Sequence, residues 1–90
     1  MMSRKKAIVL FFSPGCIHCK KIMPLVQASE KNTGVPVLYA DINDENEAAK
    51  YFDIDGVPEL AVIDRGQITN KFSGERTIES ISKFLRDNSK

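Results

Sequence analysis

Charge of one sign, cysteine and histidine are all scarce in this sequence, and each shortage removes a class of function. Thirteen lysines and arginines stand against twelve aspartates and glutamates, a formal net charge of +1 at pH 7. With the two signs interleaved, no surface for nucleic acid or an anionic membrane is expected. Arg4-Lys5-Lys6 is the one basic cluster, and it reads as a solvated terminus. Two cysteines in 90 residues are too few for a disulfide-stapled secreted scaffold. One histidine and no second cysteine pair leave a structural zinc site short of its usual four ligands, so no bound metal is expected. No apolar run is long enough to span a bilayer. Ala7 to Phe12 after the basic cluster imitates a signal peptide, but Ser13-Pro14-Gly15-Cys16 follows where a small-residue cleavage site would be needed. A cytoplasmic monomer is the expectation. Repeats, linkers and low-complexity tracts are also missing, and 90 residues predict a single domain over 1–90.

What is present alternates between strand and helix patterns. Ala7 to Phe12 is a continuous apolar run with β-branched and aromatic members, the pattern of a strand buried on both faces. Ser13-Pro14-Gly15 ends it. A helix is predicted from about Cys16 to Lys31, with Cys19, Met23 and Val26 near one stripe and Ile22 and Leu25 beside it. Gly34 suits a left-handed cap at its exit. Val35 to Asp41 reads as a second strand, with Pro36 near its start. Asp44 and Glu47 form a capping-box pattern for a short helix ending near Phe52, followed by a loop from Asp53 to Val57. Leu60 to Ile63 and Ile68 to Phe72, joined by Asp64-Arg65-Gly66-Gln67, predict an antiparallel hairpin. Thr77 can cap a last helix whose Ile78, Ile81, Phe84 and Leu85 share a face. The order βαβαββα predicts an α/β fold, with a right-handed parallel unit first and the hairpin added to the same four-stranded mixed sheet.

Chemistry is concentrated in Cys16-Ile17-His18-Cys19, where the first strand hands over to the first helix. A disulfide closing so small a loop removes little entropy from the unfolded chain, so it is a poor staple and a better reversible bond. Residues three apart on a helix share a face at roughly 5–6 Å, within disulfide range. Cys16 lies at the helix N-terminus, where free N–H groups and the helix dipole favour a thiolate, the attacking species. Cys19 lies one turn further in and is more shielded. The exposed sulfur is therefore expected to attack and the buried one to resolve. Two other readings stand beside this one: a pair of small buried hydrophobes, and a metal site using Cys16, His18 and Cys19 that two chains would have to complete.

Phe11-Phe12-Ser13-Pro14-Gly15-Cys16-Ile17-His18-Cys19-Lys20 resembles the active-site segment of thioredoxins. Pro24, five residues after Cys19, falls where that family carries a helix-kinking proline. Gly56-Val57-Pro58 resembles the loop before its cis-proline. Gly66 and Gly74, eight and sixteen residues beyond Pro58, match the hairpin glycine and the glycine bordering the substrate groove. The likeness covers almost the whole chain, apart from an N-terminal strand and helix that longer members have. An X–Pro bond is trans by default; the resemblance implies instead that Pro58 is cis, beside the cysteines. It also implies that Val57 pairs with an extended substrate segment and that Gly15, Ile17 and Gly74 contribute to substrate binding. Pro24 has a separate argument, since it removes the bond to the Lys20 carbonyl.

Departures from the family pattern are as informative. The buried aspartate of typical thioredoxins falls at Leu10 and its lysine neighbour at Tyr39, so no carboxylate at that point can help deprotonate Cys19. Gly15 replaces the usual tryptophan, and Glu59 stands where threonine is common. Glu59 is either a solvated strand residue or a group that moves protons near the cysteines. His18 is the tuning residue: a cationic imidazole near Cys16 would stabilise its thiolate and make the disulfide more oxidising. Disulfide isomerases and bacterial disulfide-forming oxidases are similar in having histidine there.

The expected function is reduction of protein disulfides by dithiol–disulfide exchange at Cys16 and Cys19. No bound cofactor is expected, and electrons would come from a thioredoxin-reductase-like flavoprotein or from glutathione. A glutaredoxin-like enzyme using glutathione is the alternative, although the Gly-Gly-x-Asp motif is missing after the hairpin. A non-catalytic thioredoxin-fold binding or metal module is the third.

Overall fold

In the computed structural model, residues 6–43 and 56–89 are described. The helix predicted from Asp44 to Phe52 and most of the following loop lie outside them. The described elements are β1 (Lys6–Phe12), α1 (Ile17–Thr33), β2 (Leu38–Asp41), β3 (Glu59–Asp64), β4 (Gln67–Lys71) and α2 (Ile78–Asp87). They build one four-stranded mixed sheet in the order β2-β1-β3-β4. β1 runs parallel to β2 and antiparallel to β3, and β3 is antiparallel to β4. This is the sheet layout that the sequence predicts.

From Ala7 to Phe12, β1 is apolar because both of its faces are covered. Ile8 and Leu10 join Leu60, Val62, Ile22, Val26, Ile81 and Leu85 in the larger core cluster, on the face that carries the helices. Val9 and Phe11 pack with Ala61 on the other face, against Ala40, Ile42, Val57 and Ile68. Leu10, Ile81 and Leu85 are fully buried, and each such side chain stabilises the fold by about 1.5–3 kcal/mol. Two serines lie between the helices. Ser29 Oγ is 2.8 Å from Leu25 O and 3.2 Å from Ile78 O, while Asn32 Nδ2 donates to Ser82 Oγ at 3.1 Å. These small residues let α1 and α2 approach with their polar atoms paired.

Strand β2 begins later than the sequence suggests, at Leu38 rather than Val35. Val35 and Val37 give their N–H groups to side chains of α1 instead of to the sheet. Val35 N donates to Thr33 Oγ1 at 3.2 Å and Val37 N to Glu30 Oε1 at 3.1 Å, and Pro36 has no N–H to give. α1 runs two residues past its expected end and stops at Gly34, whose φ of 74° is the left-handed cap. The β3–β4 turn places Arg65 at φ 55° and Gly66 at φ 82°, the two positive angles of a type I′ hairpin. Thr77 caps α2, accepting from Ser80 N at 3.1 Å.

Candidate active site

β1 leads directly to the cysteines. After Phe12 the chain reverses through Ser13-Pro14-Gly15-Cys16, closed by Cys16 N donating to Ser13 O at 3.1 Å, with Pro14 at the position that presets a turn. Cys16 is the N-cap of α1: its backbone is extended (φ −89°, ψ 121°) and its Sγ accepts from Cys19 N at 3.4 Å. A sulfur thus stands where serine or aspartate normally caps a helix. Lys20 N still reaches Cys16 O at 3.1 Å, and Pro24 inside α1 leaves the Lys20 carbonyl without its helical donor.

Both cysteines are free thiols with opposite environments. Cys16 is partly exposed and Cys19 is fully buried. The Cys16 thiol is held below its ordinary ionisation range, chiefly by the Cys19 thiol donating to it. The Cys19 and His18 backbone N–H groups and the Arg76 charge act in the same direction. Burial pushes the Cys19 thiol up, against the pull of Ser13 N–H, 3.5 Å from its Sγ, and of Arg76. Cys16 is therefore the easier of the two sulfurs to ionise, and Cys19 the harder.

Val57 comes to the same place from the start of β3. Its carbonyl oxygen lies 3.8 Å from Cys16 Sγ, in line to accept the S–H, and the Val57–Pro58 bond is cis. Ile17 is 67% exposed beside the cysteines, and Gly15 is exposed on the preceding turn. Gly74 belongs to the β4–α2 connection, where an added Cβ would meet the Phe72 ring at 3.2 Å. That close approach is a packing reason for glycine. His18 is exposed, and it favours the Cys16 thiolate through its main-chain N–H.

Leu10 and Tyr39 are cross-strand partners in β1 and β2. The two positions that hold a charged pair in typical thioredoxins are thus adjacent here, as an apolar residue and a phenol. Tyr39 directs its hydroxyl to Glu30 Oε2 on α1. Burial, then the Glu30 hydrogen bond and charge, raise the Tyr39 ionisation above its ordinary range. Glu59 alternates with Leu60 and so shares the face of Phe11 and Ala61, away from the face covered by α1. Lys71 Nζ is 3.4 Å from its Oε2, an ion pair without hydrogen-bond alignment. Glu59 is thus partly buried and ion-paired rather than fully solvated.

Arg76 was not legible as a nucleophile's neighbour, because a lone arginine in a connection carries no spacing signal. Val57 could be placed beside the cysteines only through the family resemblance. Among the described residues no three His, Cys, Asp or Glu side chains group where they could hold a metal ion. No described helix is long and apolar enough to cross a membrane.

Comparison with known proteins places this geometry. The thioredoxin family model matches residues 1–87. A probable protein disulfide-isomerase A6 of Medicago sativa is 30% identical over 86 residues, covering 90% of this chain and 24% of its own length. A thioredoxin domain-containing protein of Theileria parva is 33% identical over 78 residues, covering 84% of this chain and 36% of its own. The chain thus spans about a quarter to a third of these two relatives. Among solved structures, the first thioredoxin domain of mouse protein disulfide-isomerase A4 superposes with a TM-score of 0.76 at 26% identity, over 98% of this chain and 66% of that one. A mutant thioredoxin from Halobacterium salinarum gives a TM-score of 0.80 at 17% identity, over 97% and 77%. With the cysteine pair at the start of α1, Val57-Pro58 beside it and the sheet order in agreement, the chain belongs to the thioredoxin family and is similar to the domains of protein disulfide-isomerases.

Proposed function

We propose that this chain reduces protein disulfides in the cytosol by dithiol–disulfide exchange. The observation that carries the reading is the contrast between the two sulfurs: Cys16 partly exposed at the N-cap with its ionisation lowered, Cys19 buried with its ionisation raised. Thiolate Cys16 attacks one sulfur of a substrate disulfide, forming a mixed disulfide and releasing the other sulfur as a thiolate that takes a proton from solvent. Cys19 then loses its proton and attacks Cys16 Sγ. The second substrate sulfur leaves and is protonated, and the Cys16–Cys19 disulfide remains. Two electrons and two protons have passed to the substrate. A thioredoxin-reductase-like flavoprotein or glutathione restores the dithiol. Val57, Ile17, Gly15 and Gly74 form the substrate side of the site, and a single copy carries every group the exchange needs.

Insulin reduction driven by a thioredoxin-reductase system or by glutathione tests this reading and identifies the donor. Cys19→Ser is expected to accumulate a mixed disulfide through Cys16, and Cys16→Ser to be inactive. Turnover with neither donor, or trapping through Cys19, would overturn it. The resemblance to protein disulfide-isomerases favours a second reading, isomerisation, which uses the same first step. Recovery of scrambled ribonuclease in a glutathione buffer separates the two.

A further inference from the structure

In the dithiol form the Cys16 sulfur is engaged from two sides. It accepts from Cys19 N–H at 3.4 Å, and its own S–H faces the Val57 carbonyl oxygen at 3.8 Å. A thiol is a weak donor, but the acceptor it occupies is on the segment that would meet a substrate. Gly56 is exposed and Val57 partly so, which leaves that main chain open to an incoming segment.

We propose that the Cys16 thiol and a main-chain N–H of the substrate compete for the Val57 carbonyl, so that docking of an extended segment sends the Cys16 proton to solvent and activates the nucleophile. This rests on the oxidoreductase reading above. A hydrogen bond donated by the neutral thiol holds its proton in place, and losing the acceptor shifts the balance to the thiolate. The thiolate has no proton to donate and turns its charge toward the negative end of the carbonyl dipole. A substrate N–H on that oxygen removes the conflict. The other groups that bear on the sulfur are the Cys19 thiol and the Cys19 and His18 N–H groups from α1, and Arg76 from the β4–α2 connection. All remain in place when Val57 is covered. Reciprocity requires the same segment to bind the thiolate form more tightly than the thiol, by the same factor.

The test uses the full chain with 13C at Cys16 Cβ and at the Val57 carbonyl. The probe is a peptide whose disulfide-bonded parent the protein reduces, made with serine in place of its cysteine. Without peptide, the Val57 carbonyl resonance is expected to move with the Cys16 titration. With saturating peptide, the acid dissociation constant of Cys16 is expected to rise about two- to fivefold, the effect of one weak hydrogen bond. In a set of copies each N-methylated at one position, one copy is expected to bind and lose the effect. An unchanged constant with peptide bound, or an equal rise with every methylated copy, overturns the competition and leaves the function standing. Failure to reduce any parent disulfide overturns both.

Discussion

Glu30 ties the end of α1 to the start of β2, and removing it measures what holds that strand where the sheet ladder does not reach. Its Oε1 accepts from Val37 N at 3.1 Å and its Oε2 from the Tyr39 hydroxyl. Hydrogen bonds to a charged acceptor contribute about 1.5–3 kcal/mol each. Glu30 and Tyr39 are only partly buried, and solvent screening lowers this to about 1–2 kcal/mol each. Glu30→Ala is expected to cost about 2–4 kcal/mol in equilibrium urea unfolding, and Tyr39→Phe about 1–2 kcal/mol, with a coupling of about 1–2 kcal/mol in the double-mutant cycle. The pH dependence has a definite sign. Tyrosine ionises near 10 in an unfolded chain, and Tyr39 ionises above that when folded. Its contribution is therefore complete below about pH 10 and is lost as pH rises from there toward the folded value. Above about pH 10 the stability gap between the wild type and Tyr39→Phe is expected to narrow. A coupling indistinguishable from zero, or a gap that widens above that pH, would refute the assignment of this bond as a structural tie.

Three predictions concern the cysteines and the core beneath them. His18→Pro removes the main-chain N–H that favours the Cys16 thiolate, whereas His18→Ala keeps it. The proline variant is expected to raise the pH midpoint of Cys16 alkylation more, and equal shifts would place the effect on the imidazole. Arg76→Gln is expected to raise the midpoints of both thiols, since its charge lowers both, and added salt is expected to shrink the difference. Leu10→Asp buries a carboxylate with no lysine opposite, losing roughly 4 kcal/mol or more at neutral pH. Because burial raises its folded pKa above the unfolded value near 3.9, the variant is expected to gain on Leu10→Asn as pH falls toward 4. Urea unfolding of both variants at several pH values checks it, and a gap between them that is the same at pH 4 as at pH 7 would refute it.

Local features were readable in advance because their causes are local. The β1 run, the spacing of Cys16 and Cys19, the Gly34 cap and the Arg65-Gly66 turn each depend on residues close in sequence. The cis state of Val57–Pro58 could be anticipated only through the family resemblance, because composition and spacing alone favour trans. Illegible features join distant elements. Glu30 taking the N–H of Val37 shortened β2, the Glu59–Lys71 ion pair depends on the hairpin register, and Arg76 acts from a connection. Side-chain partners of that kind follow from the fold, so hydropathy periodicity cannot reveal them.

Burial of Cys19 also decides which sulfur a peroxide meets first. Its side chain has no exposed surface, while Cys16 is open and favoured as a thiolate. Oxidation therefore begins at Cys16, giving a sulfenic acid. Cys19, with its backbone N–H already 3.4 Å from Cys16 Sγ, is in place to condense with that group, releasing water and forming the intramolecular disulfide. The product is the same disulfide that the proposed exchange forms, so the donor proposed for that exchange would also reverse the oxidation before irreversible sulfinic acid is reached.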